Sequence, residues 1–224
     1  MRLLAFDSSG PALSAACDLD GRLLAHRHRR LERGHAEHLL PLLAELTAEA
    51  GWPWQAIDLV AVTLGPGSFT GLRAGIAVAR ALGLASGCPT LGLGTLEVLA
   101  EAEAAAAPDD PRPILALIDA RRGEVYAQRC GAGLVPLEEP ALLPAAAVPA
   151  LAQDCRLVGT PAAWAAAGLA GRTQDADARD LARLARRRLA AGAVPAAATT
   201  LRPLYLRPPD ARPGAGASLL VEAS

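Results

Sequence analysis

Three groups of residues have types and spacings that chemistry can use. The first is Gly65-Pro66-Gly67-Ser68-Phe69-Thr70-Gly71, which follows a short apolar run rich in β-branched residues at 57–64 and leads into an apolar stretch of helical pattern. Glycine admits positive φ and proline fixes φ near a turn value, so the chain must corner sharply here. Ser68 or Thr70 can then accept from the free N–H groups of the helix that follows. A turn of this kind aims backbone donors and a positive helix end at one point, which is the chemistry of an anion site. The second group is a pair of carboxylates, Asp7 and Asp119, each closing a short apolar strand and each able in principle to serve Mg²⁺ beside a phosphate. The third is histidine: His26, His28, His35 and His38 are the whole complement of four. Their spacing is not His-Glu-x-x-His and no third ligand lies near, so a structural role is expected rather than a metal.

Two phosphate motifs can be tested against the glycine corner. Gly65, Gly67 and Gly71 give Gly-x-Gly-x-x-x-Gly, one residue too long for a dinucleotide fingerprint, and a Walker loop needs a lysine that this chain lacks altogether. Two readings remain open: an anion site built from Asp7, Ser8, Ser9, Gly65, Gly67, Ser68 and Thr70, or a corner stiffened for packing.

The helix beyond the corner repeats Gly71, Gly75, Ala79, Gly83 and Gly87 every four residues. Glycine weakens a helix by about 1 kcal/mol relative to alanine, so close approach of another backbone must repay it. That neighbour is either this chain's own core or a helix of a second protein. Before it, 35–50 has the amphipathic pattern Leu39, Leu42, Leu43 and Leu46, ended by Gly51.

In chain order, strands are expected at 2–6, 12–17 and 22–29 as a meander, then the helix at 35–50, the strand at 57–64, the glycine helix, a strand at 89–93 and a helix at 95–107. The proline-rich 108–113 marks the best boundary, dividing a first unit at 1–107 from a second at 108–207, with 208–224 expected to form a mobile tail. In the second unit a strand at 114–119, the turn Ala120-Arg121-Arg122-Gly123 and a strand at 124–130 repeat the opening hairpin about one hundred residues on, which points to duplication. The stretch 131–155 reads as irregular, 156–159 as a strand, and 161–169 and 177–191 as helices.

Composition bounds the function. Of 224 residues 52% are hydrophobic but only 3% aromatic, so the core is Ala, Leu and Val. All 22 basic residues are arginine and the net charge is −1, so no global basic field of the kind that holds nucleic acid surrounds the chain. Arg183, Arg186, Arg187 and Arg188 read as a solvated helix face. Four scattered cysteines read as small buried groups in a reducing compartment. With Asp7 early and no signal peptide pattern, a cytoplasmic protein is expected and no membrane span.

The chain resembles the TsaB (YeaZ) family of bacterial tRNA-modification proteins nearly end to end. The resemblance rests on Leu4-Ala5-Phe6-Asp7-Ser8-Ser9, His35-Ala36-Glu37-His38-Leu39-Leu40-Pro41, Gly65-Pro66-Gly67-Ser68-Phe69-Thr70-Gly71-Leu72-Arg73, Ile118-Asp119-Ala120-Arg121-Arg122-Gly123-Glu124-Val125-Tyr126 and Tyr205-Leu206-Arg207. It implies a two-domain α/β fold of the actin, sugar kinase and Hsp70 type, paired through a helical bundle with the catalytic paralogue TsaD and joined by the ATPase TsaE. Threonylcarbamoyl is then transferred to adenosine 37 of tRNA, which this chain would meet only through the complex. On that basis His35, Leu39, Leu42, Leu43, Leu46, Gly71, Leu72, Gly75, Ile76, Ala79 and Gly83 are the expected partner interface, with a homodimer through the same face when TsaD is missing. Asp119, Arg121, Arg122, Glu124, Tyr126, Tyr205 and Arg207 are family motif residues without an assigned role. The paralogue holds its metal through two histidines separated by three residues. The matching places here are Thr95 and Leu99, so this chain is expected to bind no cofactor itself, with ATP, Mg²⁺ and metal belonging to the partners. The competing reading is an ATP-dependent enzyme or a glycoprotease-like peptidase of the same fold. No Ser-His-acid set or ligand triad can be assembled from the spacing to support the peptidase.

Overall fold

Leu3, Leu4, Ala5 and Phe6 are all fully buried, and they form the centre of β1 (Arg2–Asp7), a strand covered on both faces. Asp20 and Gly21, both at positive φ, turn β2 (Ala12–Leu19) into β3 (Arg22–Arg30), completing an antiparallel meander. Then follow α1 (His35–Glu49), β4 (Leu59–Gly65), α2 (Phe69–Ser86), β5 (Thr90–Gly94) and α3 (Thr95–Ala106). β4 and β5 add parallel to β1, giving a sheet of order β3-β2-β1-β4-β5. This computed structural model describes residues 1–31 and 34–207, so the expected tail at 208–224 lies outside the described residues.

Beyond the prolines of 108–113 the plan is repeated. β6 (Ile114–Arg121), β7 (Glu124–Cys130) and β8 (Ala141–Pro144) make a second meander. The short α4 (Val148–Leu151), β9 (Arg156–Gly159), α5 (Pro161–Ala167), β10 (Arg172–Thr173) and α6 (Ala178–Ala190) follow. The second sheet has the order β8-β7-β6-β9-β10, again a meander with two parallel strands added to its first strand. Two copies of one mixed-sheet plan in tandem constitute the two-domain actin-like fold. The irregular 131–155 of the sequence expectation contains β8 and α4, both too short and too rich in Pro and Ala to announce themselves.

Three apolar clusters hold these layers. α1 and α2 cover the outer face of the first sheet with Leu39, Leu43, Leu46, Ile76 and Ala79 over Leu4, Phe6 and Val62. α5 covers the outer face of the second sheet through Ala163 and Trp164. α3 and α6 pack together between the two sheets, their Leu96, Leu99, Leu181 and Leu184 in one cluster with Leu3, Leu59, Ile114 and Val158. Although α6 falls late in the chain, its main sheet contacts are with β1 and β2. Residues 196–207 also return to the first sheet: Ala196 pairs with Thr90, and the Leu204 N–H donates to the Leu64 carbonyl at 2.7 Å. None of the described helices is long and apolar enough to cross a membrane.

Candidate functional site

At the glycine corner, the cis Gly65-Pro66 bond and Ser68 start α2, and the Ser68 hydroxyl accepts from Gly71 N at 3.3 Å. The rest of the corner is filled by the end of β1. Ser68 N donates to the Ser9 carbonyl at 2.7 Å, and Ser8 Oγ donates to the Gly71 carbonyl at 2.8 Å. Beneath them the buried Asp7 carboxylate accepts from Ser9 N (3.1 Å), Ser9 Oγ (2.6 Å) and Thr63 Oγ1 (2.5 Å). Burial pushes the Asp7 carboxyl above its ordinary value, against the pull of these bonds. At the anion site expected from Asp7, Ser8, Ser9, Gly65, Gly67, Ser68 and Thr70, Ser68 N and Gly71 N meet the chain's own oxygens and the Asp7 carboxyl group lies beneath them, while Ser68 and Thr70 are exposed. The second of the two readings, a corner built for packing, is the one that the geometry fits.

The small-residue face of α2 is likewise turned inward. A Cβ on Gly71 would lie 1.9 Å from the Ser8 carbonyl oxygen, one on Gly75 2.6 Å from Ser8 Oγ, and one on Gly83 2.6 Å from the Ala198 methyl. Leu39, Leu42, Leu43, Leu46, Leu72, Ile76 and Ala79 are buried in the same interior. This corrects the expected interface. Except for the half-buried His35, those residues face this chain's own sheet, because a stripe of small residues reveals close approach but not which backbone approaches. The outward faces belong to other residues: Leu40, Ala44 and Ala48 of α1, and Phe69, Arg73, Ala77, Ala81 and Leu84 of α2. Leu40 is 49% exposed and Leu84 68%. These residues were missed in the sequence, although on a period of 3.6 Phe69, Ala77 and Leu84 fall opposite the glycines.

The family motif residues gather around the β6–β7 turn. Arg121, Arg122 and Gly123 all take positive φ, and the Asp119 carboxylate accepts from Arg121 N at 3.0 Å. Arg207 donates to the Ala120 carbonyl (2.8 Å) and to Glu124 (2.7 Å), fastening residues 201–207 to this turn. Tyr126 is half-buried against the cluster between the sheets. Tyr205 stacks on Phe69, ring centroids 5.3 Å apart at 28°, and its hydroxyl accepts from Arg73 Nε at 2.9 Å while the Arg73 guanidinium sits 3.9 Å above the Phe69 ring. The structure thus joins Tyr205 and Arg207 to the turn and to the start of α2, a connection that no local pattern announced.

Two further clusters are structural. His26 Nε2 lies 2.9 Å and His28 Nδ1 3.4 Å from the carboxylate of Asp177, the N-cap of α6, in keeping with the structural role expected for histidine. The arginines expected as a solvated face are instead engaged: Arg187 with Glu101, Arg188 with Glu97, Arg186 with Asp18 and Arg183 with Asp180. Cys17, Cys88 and Cys130 are buried, and burial raises the thiols of Cys17 and Cys130 to about 12. At the places where the resemblance implies a metal pair in the paralogue, Thr95 Oγ1 donates to Ser9 Oγ at 3.3 Å and Leu99 is 1% exposed in the core.

Comparison with known proteins accords with this geometry. The family model for TsaD, tRNA N6-adenosine threonylcarbamoyltransferase, matches residues 29–190. The tRNA threonylcarbamoyladenosine biosynthesis protein TsaB of Escherichia coli K12 is 38% identical over 126 residues, 56% of this chain and 53% of that protein. TsaB of Bacillus subtilis 168 is 30% identical over 126 residues, with 56% of this chain and 53% of that protein covered. The chain thus spans about half the length of the curated relatives it matches. Among solved structures, an uncharacterized Pseudomonas aeruginosa protein with similarity to peptidase YeaZ superposes with a TM-score of 0.81 at 32% identity, over 92% of this chain and 99% of that one. YeaZ from Pseudomonas aeruginosa gives 0.80 at 30%, with 92% and 99% covered. Shared sequence over most of its length and a shared two-sheet plan place this chain in the TsaD family of actin-like proteins, on its TsaB (YeaZ) branch.

Proposed function

We propose that the chain is the non-catalytic subunit that pairs with TsaD and activates it for transfer of threonylcarbamoyl to adenosine 37 of ANN-decoding tRNAs, together with the ATPase TsaE. The observation that carries this reading is the outward face of α1 and α2. Leu40 and Leu84 stand exposed on adjacent helices beside the short side chains Ala44, Ala77 and Ala81, a surface onto which another helix pair can lie closely. The residues at 95 and 99 support the non-catalytic assignment, since a hydroxyl bonded to Ser9 and a core leucine leave no metal ligand in that place.

The test uses Leu40→Glu and Ala81→Arg. Both positions are exposed, so unfolding free energy should stay within about 0.5 kcal/mol of wild type. Co-elution with TsaD and tRNA modification by the mixture should both be lost. Co-elution unchanged in both variants would reject the face, and tRNA modification by the purified chain alone would reject the non-catalytic role. The same surface offers an isologous homodimer when TsaD is absent. Size exclusion should then show a dimer that Ala81→Arg splits and that added TsaD replaces.

A further inference from the structure

The chain has only two Phe and two Tyr, and one of each is stacked on the surface at the head of α2. Phe69 is 52% exposed and Tyr205 42%, their ring centroids 5.3 Å apart. The stack is not what holds residues 201–207 in place. Leu201 is buried in the core, Leu204 N is bonded to Leu64, and Arg207 is bonded to Ala120 and Glu124. A ring whose task was to pin this segment would be stabilised by burial, yet Tyr205 keeps much of its surface in water. Exposed rings usually turn freely, whereas this one is fixed through both flanks of its chain and through its hydroxyl, which accepts from Arg73 Nε at 2.9 Å. A contact surface fixed in advance loses little freedom when it is covered. Tyr and Arg are also the residue types in which binding energy between proteins concentrates.

Phe69 is the first member of the outward stripe of α2, which continues through Arg73, Ala77 and Ala81 to Leu84. From Phe69 to Leu84 the stripe runs about 22 Å at 1.5 Å per residue. Its one charged member, Arg73, lays its guanidinium 3.9 Å from the centre of the Phe69 ring, and the rest is apolar. The body that covers this stripe is therefore apolar at the contact, and a helix laid along its whole length reaches the stack. We infer that Tyr205 is an anchor of the pairing face, contributed by the segment that returns from the second sheet and not by either helix. The surface that fits it is an apolar helix face, that of TsaD in the proposed function, on which this inference rests for its partner. The pairing face is then held from both sheets: α1 and α2 stand on the first, and Tyr205 is tied to the second through Arg207.

The test measures the affinity of this chain for TsaD by titration calorimetry, with hydrogen exchange followed on the same complex. Tyr205→Ala should weaken pairing about tenfold, as truncation of an interface anchor does. Tyr205→Phe, which keeps the ring and loses only the hydroxyl, should bind within about threefold of wild type. Leu40→Glu is the reference, since it alters the helix face and leaves Tyr205 untouched. Loss of pairing in Leu40→Glu with wild-type affinity in Tyr205→Ala would overturn the anchor and leave the proposed function standing. Weakened pairing in Tyr205→Ala with none in Leu40→Glu would reject the helix face and keep the Tyr205 contact. A wild-type chain that does not bind TsaD would overturn both. Tyr205→Phe as weak as Tyr205→Ala would assign the effect to the bond with Arg73 and overturn the ring as anchor. If Tyr205→Ala does not fold, exchange in the wild-type chain decides. The amides of 205–207 should slow when TsaD is added, and slowing confined to α1 and α2 would overturn the anchor.

Discussion

Gly71 and Gly75 are glycine because Ser8 lies against them, and the consequence is measurable. An added methyl at Gly71 would overlap the Ser8 carbonyl, a backbone atom that can move only if β1 moves with it. Gly→Ala in a helix normally gains about 1 kcal/mol, whereas overpacking a tight interior costs about 1 to 3 kcal/mol and occasionally more. Here the displaced atom is backbone and the nominal separation 1.9 Å, so the second effect should win. Gly71→Ala is expected to lose about 2 kcal/mol in urea unfolding, and Gly75→Leu to lose the fold rather than a partner. Ala77→Leu, on the opposite side of the same helix, should leave stability within about 0.5 kcal/mol of wild type. A Gly71→Ala variant as stable as wild type would mean that the corner is looser than its hydrogen bonds suggest.

At the scale of an element, the head of α6 puts two carboxylates three residues apart under opposite influences. Burial works against the charge on Asp177, yet bonds from His26 and Arg179, with His28 Nδ1 3.4 Å away, outweigh it and hold the carboxyl far below the usual range. The same carboxylate, close to its ring, raises His28. Burial raises Asp180 to about 6 despite Arg183. A lowered folded value means that Asp177 contributes stability above the unfolded carboxyl pKa of about 3.9, and that this is lost as pH falls. The contribution of His28 is complete below about 6.5 and is lost as pH rises through its raised folded value. For Asp180 the folded state holds its proton longer than the unfolded chain, so stability falls as pH climbs from about 3.9 to 6, by an amount on the order of 3 kcal/mol. Asp177→Asn should therefore fall about 1 to 3 kcal/mol below wild type at pH 6, the gap closing toward pH 3. Asp180→Asn should gain on wild type as pH rises over the same interval. Urea unfolding across pH 3 to 8 reads both, and parallel profiles would contradict the assignment. Much of this level was legible in advance. Gly and Pro punctuate the chain so clearly that β7 and β9 begin and end where the residue pattern puts them, and α1 and α6 within a residue or two. What no residue pattern carries is direction across the interior: α2 shows its glycine period openly, but residues remote in sequence, among them Ser8, sixty-three residues away along the chain from Gly71, and Ala198 against Gly83, determine that the smooth side faces in.

At the scale of the molecule, the two sheets are joined by more than α3 and α6. After α6 the chain bridges Thr90, sets Leu201 into the core under α2 and bonds Leu64 through Leu204. It then reaches the β6–β7 turn through Arg207. Such a strap is invisible in sequence, since residues 196–207 have neither helical nor strand periodicity and the bonds that fasten them to the two sheets are long-range. Its last link grips the second sheet through a side chain. Arg207 and Glu124 are 20% and 35% exposed at their side chains, so solvent weakens the pair, and Arg207→Ala should cost about 1 kcal/mol rather than the full value of a buried ion pair. The effect should be local in place though small in total. Hydrogen exchange at residues 119–124 should quicken, because the positive-φ turn there would lose the donor that holds the Ala120 carbonyl, while the backbone of α1 and α2 keeps its protection. Arg207→Lys, which preserves the charge but not the planar fork, should restore only part of the protection. Exchange at 119–124 unchanged in Arg207→Ala would mean that the β6–β7 ladder alone fixes the turn, and the strap would then end, mechanically, at Leu204.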